Sequence, residues 1–139
     1  MNEQDIANAL QQRLVSANIA PVVFENPNAN ANHARPFLFV QHVTTDRVDL
    51  SLAGGHVIAR GFMSVTAVIA EGTFANQAMA LLDQVSALFP KCLRLTITGG
   101  VITIPQPARI MQGFQYKADY RRGVHVFYDA SAVLNAVIT

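Results

Sequence analysis

Charge is scarce in this sequence. Charged residues make up 14% of the 139 residues, against about 25% in a typical soluble domain. Hydrophobic residues reach 51%, which excludes a disordered chain, because disordered chains are poor in apolar residues and rich in charge. A surface with so little charge carries neutral or apolar patches, which often mark protein–protein contacts. The composition therefore predicts self-association of a single domain, since the length falls in the usual range of about 100–150 residues.

Cysteine and long apolar runs are equally scarce. The single cysteine, Cys92, excludes an intramolecular disulfide and a cysteine-rich zinc site. Residues 1–14 lack a basic segment followed by an apolar one, so we expect no signal peptide. No apolar run approaches the ~18 residues of a membrane-spanning helix. These absences predict a protein that folds in a reducing cytoplasm and has no membrane partner.

The charges that are present are unevenly distributed. The formal net charge is only +1, from 10 Lys and Arg against 9 Asp and Glu, which argues against a strong nucleic-acid binder. Residues 1–89 carry a net charge of −3 and residues 90–139 a net charge of +4. This difference suits head-to-tail association, in which unlike surfaces meet. The alternative is that both sets of charges are solvated surface.

Hydrophobic periodicity predicts two helices. Between residues 3 and 17, apolar residues recur every fourth position. Between residues 73 and 89, a broader apolar stripe follows the helical period. Thr73 is a suitable N-cap for the second helix, and Pro90 terminates it.

Runs of β-branched and aromatic residues predict six strands. They lie at residues 22–24, 37–45, 58–70, 93–97, 101–104 and about 114–128. The order α-β-β-β-α-β-β-β predicts an α+β domain with a mainly antiparallel mixed sheet packed by two helices. Two helices cannot separate every pair of strands, which excludes a doubly wound parallel fold.

The sequence leaves the structure of two segments undecided, and in a third segment it breaks the alternation of apolar and polar residues. Residues 46–57 are either the end of a hairpin whose strands continue to Gly54-Gly55 or a flexible loop. In the last strand, Arg122 breaks the apolar alternation just before Gly123, which predicts a bulge or bend there. Residues 130–139 form an uncharged C-terminal tail that docks on the domain or on a neighbour.

The sequence contains no pattern that indicates an enzyme. Its histidines are not at metal-ligand spacing, and its serines are not in a nucleophile elbow. The carboxylates of Asp46 and Asp49 fit a solvated loop or a subunit contact better than acid–base catalysis or cation binding. The glycine pairs match no phosphate-binding loop. We therefore expect no catalytic residue, no cofactor and no metal.

A set of segments in a fixed order resembles a known family. They are Val22-Val23-Phe24-Glu25-Asn26, the strand from Phe37 to Val43, Arg60 to Val68, Gly72-Thr73, Leu88-Phe89-Pro90, Gly100 to Ile104, and Val126 to Ala130. Over residues 3–130, this order and spacing resemble the phage tail-terminator-like family, which is similar to the terminator of lambda-type tails.

The resemblance implies a structural protein without enzymatic activity. Such a subunit assembles with itself into a ring, typically a hexamer, on the head-proximal end of the tail tube. The ring stops tube polymerisation and offers a surface for joining the head. The implied partners are the tail tube protein and a head-completion or connector protein, with DNA only passing through the lumen. The implied location is the virion tail, after synthesis in the host bacterial cytoplasm.

On this basis, two groups of residues are candidates for subunit or tube contacts. The first group, around residues 46–57, is Asp46, Arg47, Asp49 and His56. The second group, either a basic counterpart or a lumen lining, is Arg109, Arg121 and Arg122.

Two other functions fit the same sequence. One is another head–tail joining or minor tail protein. The other is a small-ligand-binding or enzymatic α+β domain that uses the sheet face opposite the helices. Polar side chains converging in a deep pocket would favour the ligand-binding domain, whereas a flat apolar patch would favour assembly.

Overall fold

Two helices and eight strands make up the described part of the chain. The computed structural model describes residues 3–24, 36–49, 57–70, 75–116 and 119–132. The elements are α1 (Glu3–Ser16), β1 (Val22–Phe24), β2 (Phe37–Asp49), β3 (Val57–Ala70), α2 (Ala75–Leu88), β4 (Arg94–Ile97), β5 (Gly100–Thr103), β6 (Arg109–Ile110), β7 (Phe114–Tyr116) and β8 (Asp119–Ala132). The predicted fold class is confirmed, with two short strands, β6 and β7, added before the last one.

Helix α1 forms where the four-residue apolar period predicts it. Ile6, Leu10 and Leu14 are completely or almost completely buried, because this spacing places them on one side of the helix. The chain leaves the helix through Asn18, whose φ of 57° is the left-handed conformation that commonly follows a helix C-terminus.

Helix α2 also buries the predicted stripe. Ala78, Leu82 and Val85 have no exposed surface, and neither does Phe89 just beyond the helix. Pro90 follows at once, as predicted. The predicted cap, Thr73, lies outside the described residues.

The sheet has the strand order β1-β2-β3-β8-β5-β4. Strand β1 is parallel to β2, and the other pairings along this order are antiparallel. The three long strands β2, β3 and β8 lie side by side at its centre, and β6 and β7 pair with β8. The predicted turn joins β4 to β5, with Gly99 at a φ of 79°, where glycine avoids the steric cost of a side chain.

Strands β2 and β3 extend well beyond the part of the sheet that pairs with β1. Among the described residues, β1 pairs with β2 as far as Val40, whereas β2 and β3 remain paired to Asp49 and Val57. We call residues 43–49 of β2 and 57–62 of β3 the arm. Residues 46–49 are thus strand, as one of the two alternatives for residues 46–57 required, and residues 50–56 lie outside the described residues.

The C-terminal part of the sheet departs from the predicted pattern at three points. Residues 130–132, assigned from the sequence to a C-terminal tail, instead form the end of β8, and the rest of that tail, residues 133–139, lies outside the described residues. The single strand predicted at about 114–128 is instead two strands, β7 and β8, which pair as a hairpin with Phe114 opposite Arg121. The bulge predicted at Arg122 and Gly123 is wrong, since β3 and β8 pair in register through both residues. The register shift lies in β2 instead, between Thr44 and Asp46.

The sheet has one face in the core and one face without either described helix. The core cluster combines the buried sides of α1 and α2 with alternate residues of the long strands, such as Val40, Met63, Val65 and Val126. The intervening residues form what we call the second face. It includes Gln41, Val43, Asp46, Val48, Ile58, Arg60, Phe62, Ser64, Thr66, Arg109, Arg121, His125, Phe127 and Asp129.

Candidate assembly surface

Three aromatic rings meet at the centre of the second face. Phe62 of β3 stacks on His125 of β8, with ring centroids 4.4 Å apart. Phe127 lies 5.9 Å from Phe62 and 6.3 Å from His125, in tilted and edge-on arrangements. The cross-strand register brings these side chains together, because Phe62 is opposite Phe127 and Ser64 is opposite His125. All three rings are only partly buried, so they form an accessible aromatic patch.

Exposed apolar side chains continue from this patch along the arm. Val43 retains 37% of its surface and Val48 retains 40%. Both lie on the second face, since Val43 is opposite Phe62 and Val48 is opposite Ile58. Phe114 of β7 is 54% exposed. Exposed apolar side chains that lie near one another on one face are typical of a protein contact.

The strand β2 places Asp46 and Arg47, of the first predicted group of contact residues, on different faces of the sheet. Asp46 is exposed and pairs in register with Arg60 on the second face. Arg47 lies on the other face, where its Nη1 donates to Glu3 Oε1 at 2.9 Å. Asp49 is the last residue of β2, and its side chain, like all of His56, lies outside the described residues.

The second predicted group is divided as well. Arg109 pairs in register with His125, which places it on the second face with Arg121. Arg122 is on the opposite face, where its Nε donates to the carbonyl oxygen of Met111 at 2.8 Å. Arg121 lies 3.5 Å from the buried carboxylate of Asp119. The structure therefore places Arg109 and Arg121 on one face and Arg122 on the other.

A polar cluster at the start of α1 was not predicted from the sequence. Glu3 accepts a hydrogen bond of 2.6 Å from Thr44 Oγ1, and its Oε2 lies 3.3 Å from His42 Nε2. The hydroxyl of Tyr128 is 3.2 Å from the same His42 nitrogen. Together with Arg47, these side chains tie the first turn of α1 to the base of the arm. In the sequence, Glu3 is one polar residue among several on the predicted helix, so no signal indicated that it would connect α1 to the arm.

The surroundings of three side chains near the arm shift their pKa values. Burial alone would raise the pKa of the Glu3 carboxyl, but the bonds from Thr44, His42 and Arg47 outweigh it and lower the pKa below 4.5. Burial raises the pKa of the Tyr128 hydroxyl. Burial, and secondarily the nearby charge of Arg109, lowers the pKa of His125. His125 therefore favours its neutral form within the aromatic patch.

An open groove lies on the other side of the molecule, beside the edge strand β4. Its volume is about 540 Å³, and it runs between α1, the end of α2 and β4. Residues lining it include Ala9, Gln12, Arg13, Leu88, Leu95 and Thr96. Arg13 is held in place by its Nε, which donates to the carbonyl oxygen of Leu88 at 2.6 Å. The polar residues among those lining the groove are Gln12, Arg13, Ser16 and Thr96.

The described ranges contain neither a metal-binding cluster nor a membrane-spanning helix. Among those residues, no group of three or more His, Cys, Asp or Glu side chains is arranged to hold a metal ion. Within the same ranges, neither helix has the length and hydropathy needed to cross a membrane.

Comparison with known proteins identifies the class of this protein. The family profile of the phage tail terminator protein matches residues 5–128. A solved structure from the virion of a native gene transfer agent particle matches with a TM-score of 0.63 and 18% identity, over 94% of this chain and 96% of its own. Another solved structure, named only by a sequence identifier, matches with a TM-score of 0.70 and 20% identity, over 96% and 97%. Comparison with curated proteins finds no match.

These matches define a structural protein of the virion tail. The chain belongs to the phage tail terminator family. Its family consists of structural tail proteins, and the two similar structures support the same fold.

Proposed function

We propose that this protein is the tail terminator itself. It is made in the host bacterial cytoplasm and assembles into a ring, a hexamer, on the head-proximal end of the tail tube. The ring stops tube polymerisation and presents a surface to a head-completion or connector protein, while DNA passes through its lumen. The family match over residues 5–128 carries this proposal.

The surface of the described residues supports an assembling subunit rather than a ligand-binding domain. The second face presents aromatic rings and exposed valines. Exposed apolar patches suit contact with another protein, whereas small-molecule sites are usually concave. The groove beside β4 is open and has a mixed lining. Family membership and this surface together favour a virion contact over an enzymatic site.

The predicted contact residues lie on two faces of the sheet. Asp46, Arg109 and Arg121 lie on the second face, where Arg121 also pairs with Asp119, and we propose that they contribute to subunit or tube contacts. Arg47 and Arg122 are bonded within the subunit, and we assign them to holding its shape. Asp49 and His56 remain candidates at the end of the arm.

Light scattering over a concentration series, alone and then with cognate tail tubes, tests the proposal. We expect either a closed ring in solution or a monomer that forms a ring only on tube ends, visible by electron microscopy. A protein that stays monomeric and ignores the tubes would contradict the terminator function and favour another joining or minor tail protein.

A pair of variants then tests whether the aromatic patch takes part. Phe62→Ser removes the central ring of the patch, and we expect it to weaken ring formation or tube binding. Phe24→Ser is the matched control, since Phe24 is an exposed phenylalanine of β1, away from the patch. Equal assembly by both variants, each with a native circular-dichroism spectrum, would exclude the patch from the contact.

A further inference from the structure

One row of side-chain positions crosses five neighbouring strands at the level of the arm. Asp46 of β2 pairs with Arg60 of β3, and Arg60 pairs with Asp129 of β8. Asp129 pairs with Thr103 of β5, and Thr103 pairs with Arg94 of β4. Within the row, Arg60 and Asp129 form an ion pair of 3.5 Å.

The two ends of this row carry opposite charges. Asp46 is exposed on the arm, beyond the residues of β2 that pair with β1 in the described part of the chain. Arg94 is exposed on β4, the last strand at the other edge of the described sheet. The signs along the row are therefore minus, plus, minus, neutral and plus. A second copy placed beside the first in the same orientation would bring Asp46 of one copy next to Arg94 of the other.

The surroundings of both ends fit the same pairing. Near Arg94 in the chain, Lys91 adds a second exposed basic side chain. Near Asp46, the positive charge of Arg47 is already paired with Glu3 at 2.9 Å, so it offsets little of the negative charge of Asp46. Val48 adds an apolar side chain that is 40% exposed.

We infer that the arm of one copy binds the β4 edge of the next copy, with Asp46 paired to Arg94. This inference rests on the proposed ring. A contact between opposite edges is heterologous, and a heterologous contact repeated by a rotation that closes generates a ring. The occupant of the β4 edge is accordingly a second copy of this chain.

Two charge reversals test the pairing. Asp46→Arg places a second arginine against Arg94 at each contact between identical copies, and Arg94→Glu places a glutamate against Asp46. We expect each variant alone to lose ring formation under conditions in which the wild type forms rings. Asp83→Arg is the matched control, because Asp83 is an exposed carboxylate on α2, away from both edges, and we expect it to form rings normally.

An equimolar mixture of the two variants gives the decisive measurement. In a mixture, the reversed arm of the Asp46→Arg variant meets the reversed edge of the Arg94→Glu variant. The unchanged arm of the second variant meets the unchanged edge of the first, so an alternating ring with an even number of copies restores every ion pair. We expect light scattering to show rings in the mixture and in neither variant alone. Differently tagged variants should co-purify in equal amounts.

Each result separates this inference from the proposed function. If the wild type forms rings but the mixture does not, the pairing of Asp46 with Arg94 is wrong and the terminator function stands. If Asp46→Arg still forms rings and instead loses binding to tail tubes, the arm contacts the tube and the inference fails. A wild type that forms no ring, alone or on tubes, contradicts the proposed function itself.

Discussion

The hydroxyl of Tyr128 occupies the space beside Gly61 that a side chain would need. The two residues are opposite each other on β8 and β3. A Cβ atom at position 61 would lie 2.9 Å from the Tyr128 oxygen and would overlap the carbonyl oxygen of Val43. Glycine at this position therefore lets the base of the arm and the polar cluster of Glu3, His42 and Tyr128 pack together.

Replacing this glycine should destabilise the fold. We expect Gly61→Ala to lower the free energy of unfolding by about 1–3 kcal/mol, as is usual when atoms are forced into a packed interior. Urea denaturation measures the change. Gly123→Ala is the control, because its Cβ would lie 3.4 Å from Thr66 Oγ1 and 3.6 Å from the Val65 oxygen, which the strand can accommodate. Equal losses in the two variants would contradict the role of Tyr128 and Val43.

The carboxylate of Glu3 should make stability depend on acid pH. Because its pKa is lower in the folded protein than the ordinary 4.5, its contribution is complete above that value and is lost as pH falls through the folded pKa. We expect Glu3→Gln to be less stable than wild type at pH 7 by up to about 1 kcal/mol, since the carboxylate is partly solvated. The difference should shrink steadily below pH 4.5 in urea titrations. A difference that stays constant there would show that the charge of Glu3 is unimportant.

His125 should make the stability of the protein depend on pH in a higher range than Glu3 does. Its pKa is lowered in the folded protein through burial and Arg109, so the unfolded chain binds the proton more readily. Stability should therefore fall as pH drops below the ordinary value of 6.5, until pH passes the folded pKa. We expect His125→Gln to lose less stability than wild type as pH falls through this range. An NMR titration of the imidazole that gives a pKa above 6.5 would contradict this prediction.

Arg122 of β8 should hold the segment around Met111, which precedes β7, against β8. Its Nε donates to the Met111 oxygen at 2.8 Å, and the Met111 nitrogen donates to the Gly123 oxygen at 2.7 Å. We expect Arg122→Met, which keeps an unbranched apolar side chain, to cost about 0.5–1.5 kcal/mol and to speed hydrogen exchange at residues 109–111. Arg94→Met, on an exposed residue, should leave that exchange unchanged. If hydrogen exchange is unchanged in both variants, Arg122 does not hold this segment in place.

Sequence patterns that lie within a single helix, strand or turn predicted most of the fold. The apolar periods of α1 and α2 identified their buried residues, since a helix face depends only on spacing along the chain. The long strands β2 and β3 and the Gly99 turn were also recognisable. Arg122 was misread because a strand pattern does not show that the Met111 carbonyl is available on the core side. Its hydrogen bond removes the need for a bulge.

The candidate surfaces depend on contacts between distant segments. The aromatic patch joins Phe62 to His125 and Phe127, and the polar cluster joins Glu3 to His42 and Tyr128. These partners are far apart in the chain, as the 39 positions between Glu3 and His42 illustrate, so they meet only through sheet register. Sequence reasoning proposed Asp46, Arg109 and Arg121 for contacts from their charge alone. The sequence alone could not show that Arg47 and Arg122 lie on the other face of the sheet.

The bulge between Thr44 and Asp46 also fixes which charge belongs to which side of the subunit. It shifts the alternation of β2 by one position, so that Arg47 reaches Glu3 and Asp46 points to the opposite side. Regular pairing without a bulge would put Thr45 opposite Arg60 and Asp46 opposite Ala59, and the carboxylate of Asp46 would then lie on the same side as that of Glu3. The one extra residue in β2 therefore replaces a repulsion within the subunit by an attraction, and at the same time sets the sign of the charge that the arm presents to other molecules.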